Sequence, residues 1–393
     1  MRAGKWRAMV WSAAPLIMGF MVGCSGFWDA PTNSGGGGGT KPSSSNFYIL
    51  NQQTKQIAAY SIASGSLATI SGSPYSLLSA PLSIAIDPKG SFLYVGTATG
   101  IFLYSIGSSG QLTLANNGNV ISQDIATAMQ VDASSQWLLE AGPNLKELLG
   151  VRINPASGVP LSTTEQFSIL PAATVQQLTV SSDNTRVFVA LGSSGTQDVT
   201  FTSGSPGSPF GSSLNIPTLN TAGAALSVAV DPAGRLLYIG ETAALPGTSN
   251  TGGMRVFDFG SLDELSGSPF ATGGLSPAVI LPLPYGTNKG NYVYVANRNV
   301  SGSSTGLIKG FFIATSGTTN TVSAMSDTAS AGIAPVGMAQ EGMGNYLLVI
   351  NSGGNPDLQA FTFDSTTAGK LDSAFTSTTG TDPVQAMGIV AAP

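Results

Sequence analysis

The chain has no histidine, one cysteine and few charges: 15 Lys and Arg against 20 Asp and Glu in 393 residues, 9% charged in all. Each shortage excludes something. Without histidine, the commonest general base and metal ligand near neutral pH is missing, so a Ser-His-Asp hydrolase arrangement cannot be built. A lone cysteine forms neither an intrachain disulfide nor a thiolate zinc cluster. A net charge of −5 with dispersed Lys and Arg offers no basic stripe for nucleic acid. Beyond the N-terminus no stretch sustains the i, i+3, i+4, i+7 apolar spacing of an amphipathic helix. Gly-rich phosphate loops are missing too, because residues 35–39 form a glycine run in a linker rather than a strand-to-helix turn. Residues 351–357, N-S-G-G-N-P-D, lack the alternation and closing Glu of an EF-hand loop and read as a plain loop. No cofactor and no metal are expected.

What the chain has is apolar content and turns. Hydrophobic residues make up 42%, enough to exclude disorder for the bulk of the sequence, and 50 Gly with 23 Pro mark frequent chain reversals. The expected class is all-β.

Residues 1–23 carry Arg2, Lys5 and Arg7 ahead of an apolar run over 8–22, the pattern of a secretory signal too short for a comfortable membrane span. The single cysteine, Cys24, falls at its end in M-V-G-C-S. This resembles a bacterial lipobox, which implies lipidation of Cys24 and attachment to a membrane. Ser25 follows where an inner-membrane retention signal would place aspartate, which favours the outer membrane. Residues 24–45, with their Gly and Ser runs, read as a flexible tether unable to build a core. The folded body is expected over 46–393.

In that body one hairpin recurs. Residues 81–96 read P-L-S-I-A-I-D-P-K-G-S-F-L-Y-V-G, and residues 226–240 read L-S-V-A-V-D-P-A-G-R-L-L-Y-I-G. Two short strands flank a D-P-x-G turn, where Pro presets φ and Gly supplies a positive φ. Weaker copies run from Met129, Leu178, Val279 and Gly337, at a spacing of roughly 50 residues that suits solenoids or propellers. A final first strand at 383–390 lacks a second, while Phe47 to Leu50 form a second strand lacking a first. Such a split predicts a ring closed by pairing the chain ends within one blade, since an open solenoid would show polar capping repeats instead. Six whole copies and two complementary halves make seven blades. Third strands are expected at 57–62, 101–106, 254–259 and 358–363, and a G-S-P-[FY] signature at Gly72, Gly207 and Gly267 suits an outer edge strand.

The motifs D-P-x-G-x-x-L-Y-[VI]-G at 87–96 and 231–240, with Y-V-A-N at 294–297, resemble the seven-bladed lactonase-type (6-phosphogluconolactonase-like) propellers and their YVTN-repeat relatives. The likeness covers about residues 46–393. It implies an all-β propeller of four-stranded antiparallel blades.

In a propeller the first strand of each blade lines the central channel, and the end of the second points toward one rim. The rim candidates are Asn51, Thr97, Glu140, Ala190, Glu241, Asn297 and Asn351, joined by Arg298 from the loop after Asn297. Asn at a strand end also caps turns through its own backbone. The lactonase resemblance implies one enzymatic option, with Glu241 activating water and Arg298 holding a carboxylate or lactone carbonyl, although that family also uses His. The D-P-x-G aspartates are turn formers. The leading functional expectation is a monomeric, exported, lipid-anchored binding or scaffolding protein for an envelope protein or carbohydrate. A lactonase-like hydrolase is the alternative.

Overall fold

The computed structural model describes residues 45–393, apart from 64, 143–146, 170–172, 246–250, 287–288, 355 and 378–381. The signal-like segment, Cys24 and nearly all of the tether lie outside the described residues. Every strand pairing is antiparallel, and no α-helix occurs among the described residues. The strands form six hydrogen-bonded sheets, one of them seven-stranded.

Blade 1 comprises Pro81–Ile86, Phe92–Thr97, Gly100–Ile106 and Leu112–Leu114, from channel to periphery. Blade 2 comprises Ala128–Val131, Trp137–Ala141, Glu147–Ile153 and Pro160–Ser168. Blade 3 follows with Gln177–Val180, Arg186–Ala190, Thr196–Phe201 and Phe210–Ile216. Blade 4 is Ala225–Val230, Leu236–Glu241, Gly253–Asp258 and Phe270–Ala271.

Blades 5 and 6 share a strand. Blade 5 starts with Pro277–Pro282, Tyr292–Asn297 and Thr305–Ser316. Thr319–Gln340 then pairs with Thr305–Ser316 over its first part and with Tyr346–Gly353 over its last, meeting both at Ile333. It is the outer strand of one blade and the inner strand of the next. Leu358–Phe363 and Leu371–Thr376 complete blade 6. In blade 7 the C-terminal Ala386–Ala391 pairs with Ser45–Asn51, which pairs with Gln56–Ala63. Counting the shared sheet as two blades gives seven, and each inner strand touches the next all the way round.

The repeated hairpin explains itself chemically. Asp87 Oδ1 accepts the backbone N–H groups of Ser91 and Phe92, both at 2.6 Å, and Asp132 Oδ1 accepts those of Gln136 and Trp137 at 2.7 Å. Glu341 Oε1 does the same in blade 6, and Asp231 Oδ2 accepts Arg235 N–H in blade 4. These buried carboxylates satisfy turn donors that would otherwise be orphaned, as expected of turn formers. Gly90 and Gly234 take the left-handed φ that closes the turn, at 65° and 67°.

The glycine ending L-Y-[VI]-G has a different reason. A Cβ on Gly240 would collide with Ser227 Oγ and lie 2.8 Å from the Pro277 carbonyl. Ser227 Oγ donates to that same carbonyl, of the next blade's inner strand, at 2.8 Å. Gly96 sits likewise over Ser83, whose Oγ donates to Ala126 O at 2.6 Å. Each pair stitches one inner strand to its neighbour.

Tyrosines of the second strands make a second kind of stitch. Tyr48, Tyr94 and Tyr294 donate to the carbonyls of Gly110, Gly158 and Gly369, each in the outer turn of the following blade. Apolar side chains fill the space between sheets, for example Trp137, Leu139, Val187, Val189 and Phe201 between blades 2 and 3. Each fully buried side chain of that size contributes about 1.5–3 kcal/mol.

Candidate functional site

The seven inner strands enclose a central cavity of about 690 Å³. Its apolar lining includes Leu82, Ile84 and Ile86 of blade 1, Met129, Leu226, Val336, and Met387 with Ile389 of the closing strand. Alternation along Pro81–Ile86 produces this. Leu82, Ile84 and Ile86 face the channel half-buried, while Pro81, Ser83 and Ala85 are buried against the neighbouring strands.

Polar atoms make up at least as much of the wall as apolar ones. Among the described lining residues Arg298 is the only charged one, and there is no carboxylate. Gln130 and Gln177 stand on adjacent inner strands. The side-chain oxygen of Gln130 accepts Val180 N–H at 3.0 Å, and that of Gln177 accepts Val228 N–H at 3.1 Å. With both oxygens occupied, these amides present their NH2 groups to the cavity. Gln52, Thr127, Gln176 and Ser352 add polar atoms toward one mouth. The cavity therefore sets one cation and two oriented amide donors among apolar side chains and groups that can both donate and accept.

Most sequence-predicted rim residues lie elsewhere. Asn51, Thr97, Glu140, Ala190, Glu241, Asn297 and Asn351 are all buried, and none lines the cavity. Arg298 alone of the predicted set does so. The expectation that second-strand ends face the channel mouth is corrected for a physical reason: those ends are taken up by neighbouring chain, the following turn in some blades and the segment linking two blades in others. Thr97 Oγ1 donates to Gly100 O at 2.8 Å. Asn297 exchanges bonds with Thr272, donating from Nδ2 to its carbonyl and accepting its hydroxyl, both at 3.0 Å. Asn351 Nδ2 donates to Gln359 Oε1. These asparagine bonds reach other segments rather than the asparagines' own backbone, and the Oδ1 atoms of Asn51 and Asn351 are buried without a partner.

Glu241 is the clearest case. Its carboxylate accepts Leu219 N–H at 3.0 Å and pairs with Arg255 at 3.0 Å, while Arg255 also binds Glu264 at 2.7 Å and donates to Pro217 O. Burial pushes the Glu241 carboxyl up, opposed by the Leu219 N–H and the Arg255 charge. Glu241 and Arg298 are thus not brought together in the cavity. Glu140, in the second strand of blade 2, is fully buried and neither of its carboxyl oxygens has a hydrogen-bond partner. Burial, and then the neighbouring Asp124 charge, push its carboxyl well above the ordinary range. Among the described residues no three His, Cys, Asp or Glu side chains gather into a metal-binding group.

Gln130 and Gln177 escaped notice in the sequence, although a signal existed. Each interrupts the apolar pattern of a first strand at a channel-facing position, where a burial argument alone would demand Leu or Val.

No family model matches the chain, and no curated protein matches it in sequence. Solved structures do. A Bacteroides fragilis protein provisionally named a 6-phosphogluconolactonase superimposes with a TM-score of 0.67 at 14% identity, over 90% of this chain and 99% of that one. The periplasmic gluconolactonase of Pseudomonas aeruginosa gives 0.63 at 16%, over 89% and 99%. The β-propeller domain of Cps50 (Swd1) from Myceliophteria thermophila gives 0.55 at 13%, over 76% and 86%. Identities this low establish a shared propeller fold. Function has to come from the site, since one propeller scaffold serves many roles.

Proposed function

We propose that this protein is a lipid-anchored binding protein of the cell envelope whose channel holds a small, acceptor-rich molecule with one negative charge, without hydrolysing it. The observation behind this reading is the charge balance of the lining: Arg298 and the two oriented glutamine amides, with no carboxylate among the described lining residues. A sugar acid fits that chemistry. Its carboxylate would meet the Arg298 guanidinium, its ring and hydroxyl oxygens the amides, and its apolar face the Leu82, Ile84 and Ile86 wall.

The structural likeness to lactonase-type propellers keeps ring-opening of a cyclic ester as the second reading. That chemistry needs a general base beside the substrate, and Glu241 is committed to Arg255 and Leu219. The anchor rests on the basic start, the apolar run and Cys24.

Calorimetric titration with a panel of uronic and aldonic acids and their neutral counterparts tests the proposal. Acids should bind in preference to neutral sugars, and Arg298→Ala should weaken binding about 10- to 100-fold, the worth of one charge-assisted hydrogen bond. Equal affinity in Arg298→Ala, or no binding by any acid, would count against it. Turnover of lactones by the wild type, lost in Glu241→Gln, would establish hydrolysis instead. Replacement of Cys24 by Ser should release the protein from membranes and abolish acyl labelling.

A further inference from the structure

The channel wall differs from blade to blade. Inner strands contribute polar backbone atoms in every blade, so the contrast is carried by side chains. Blade 1 leaves Leu82, Ile84 and Ile86 half-buried at the cavity, blade 7 adds Met387 and Ile389, and blade 6 adds Val336. These three blades are consecutive, since the inner strand of blade 7 touches those of blades 6 and 1. The remaining arc includes Gln130 and Gln177 of blades 2 and 3, Leu226 of blade 4 and Arg298 of blade 5. The cavity is thus amphipathic across its width.

The outer surface repeats this division. Eight large apolar side chains are exposed among the described residues, and four stand on passages between blades: Leu78 leading into blade 1, Leu219 into blade 4, Ile333 into blade 6 and Val384 into blade 7. The other four lie within third or outer strands. Blades 1, 4, 6 and 7 are the ones whose inner strands leave a large aliphatic side chain half-buried at the cavity; in blades 2, 3 and 5 such lining side chains are buried. Passages and wall therefore agree blade by blade. Every passage enters its inner strand at the same end, and Arg298 N–H donates to Ser276 O in the passage into blade 5. The exposed aliphatic groups accordingly share the mouth at which Arg298 stands. Leu78 is 85% exposed there. Apolar groups left in water round a cavity mouth mark surface that a ligand covers.

We propose that the channel ligand is an amphiphile, a sugar acid bearing a hydrocarbon chain, taken up as a soluble monomer; this rests on the reading of Arg298 as the anion contact. The acid head lies against Arg298 and the two glutamine amides, where the charges are complementary. The chain runs along the arc of blades 6, 7 and 1 and leaves the mouth past Ile333, Val384 and Leu78, covering apolar surface that a sugar ring alone would leave wet. A cavity of about 690 Å³ has the size that takes such a molecule. A channel inside the ring admits a single chain and not a bilayer surface.

The test is calorimetric titration with methyl, butyl and octyl β-D-glucuronide and with octyl β-D-glucoside, all below their micelle-forming concentrations. Affinity should climb from methyl to octyl by up to about fourfold per buried methylene, with an increasingly negative heat capacity of binding. Octyl glucoside should bind about 10-fold or more weakly than octyl glucuronide, for want of the charged contact. Leu78→Ser and Val384→Ser, both at exposed positions, should lower octyl glucuronide affinity about threefold or more and leave methyl glucuronide unchanged. Equal affinity for methyl and octyl glucuronide overturns this inference and leaves the sugar-acid reading standing. Octyl glucoside binding as tightly as octyl glucuronide overturns the sugar-acid reading, and the head-group assignment falls with it. An octyl gain untouched by both substitutions overturns the exit of the chain at this mouth.

Discussion

Four tyrosines occupy one position of the repeat, three residues before the end of the second strand: Tyr48, Tyr94, Tyr238 and Tyr294. Three of them donate to a glycine carbonyl in the next blade's outer turn, and Tyr238 does not. Its hydroxyl is buried with no partner. The cause lies in blade 5, whose third strand runs on to Ser316 and turns directly into Thr319, so the equivalent turn is carried outward. A Cβ at Gly317, in that displaced turn, would touch nothing.

The same Tyr→Phe change therefore has opposite consequences at two equivalent sites. At Tyr94 it removes a buried 3.0 Å bond and strands the Gly158 carbonyl, a loss of about 1–2 kcal/mol. At Tyr238 it removes an unsatisfied hydroxyl and should be neutral or stabilising by about 1 kcal/mol. The two variants should thus differ by about 2 kcal/mol in equilibrium urea unfolding with unchanged m, read as a shift in midpoint. A Tyr238→Phe variant as destabilised as Tyr94→Phe would refute the argument, because packing of the ring rather than the hydroxyl would then be in control.

Gly240→Ala should cost about 1–3 kcal/mol in the same assay, since its Cβ collides with Ser227 Oγ and crowds the Pro277 carbonyl. Gly234→Ala should be costly for the different reason of its left-handed φ, although the space around it is open. Glu140 makes stability depend on pH with a definite sign. Its folded carboxyl is raised, so the folded state holds the extra proton, and stability is fully present below about pH 4.3, the ordinary glutamate value. It is lost as pH rises toward the raised value. Glu140→Gln should flatten that decline in unfolding midpoints measured from pH 4 to 8, and an unchanged slope would show that Glu140 does not titrate there.

The ring was legible because its signals are local. D-P-x-G turns, aromatic second strands and a split terminal repeat each follow from backbone chemistry within about fifteen residues, and the closing pair Phe47 to Leu50 with the last strand was readable as two halves. Two things were not readable. The 22-residue strand Thr319–Gln340 belongs to two blades, and nothing in its Ser/Thr/Ala-rich first part announces where one ends. The fate of the second-strand ends depends on the neighbouring chain that takes them up, in several blades a tertiary event. Polar residues such as Asn297 and Glu241 thus looked like a rim and proved to be buried fasteners. Arg298, one residue further along the loop, reaches the cavity.

The pairing of Ser45–Asn51 with Ala386–Ala391 also sets a schedule. Synthesis delivers the first of these strands early, flanked on one side by its hairpin partner Gln56–Ala63 and on the other by nothing. Its unpaired edge is a ready template for wrong partners until nearly the whole body has been made. Closing the ring is then a contact between distant parts of the chain, the slow kind in folding. The strand that opens the body is the last to be satisfied.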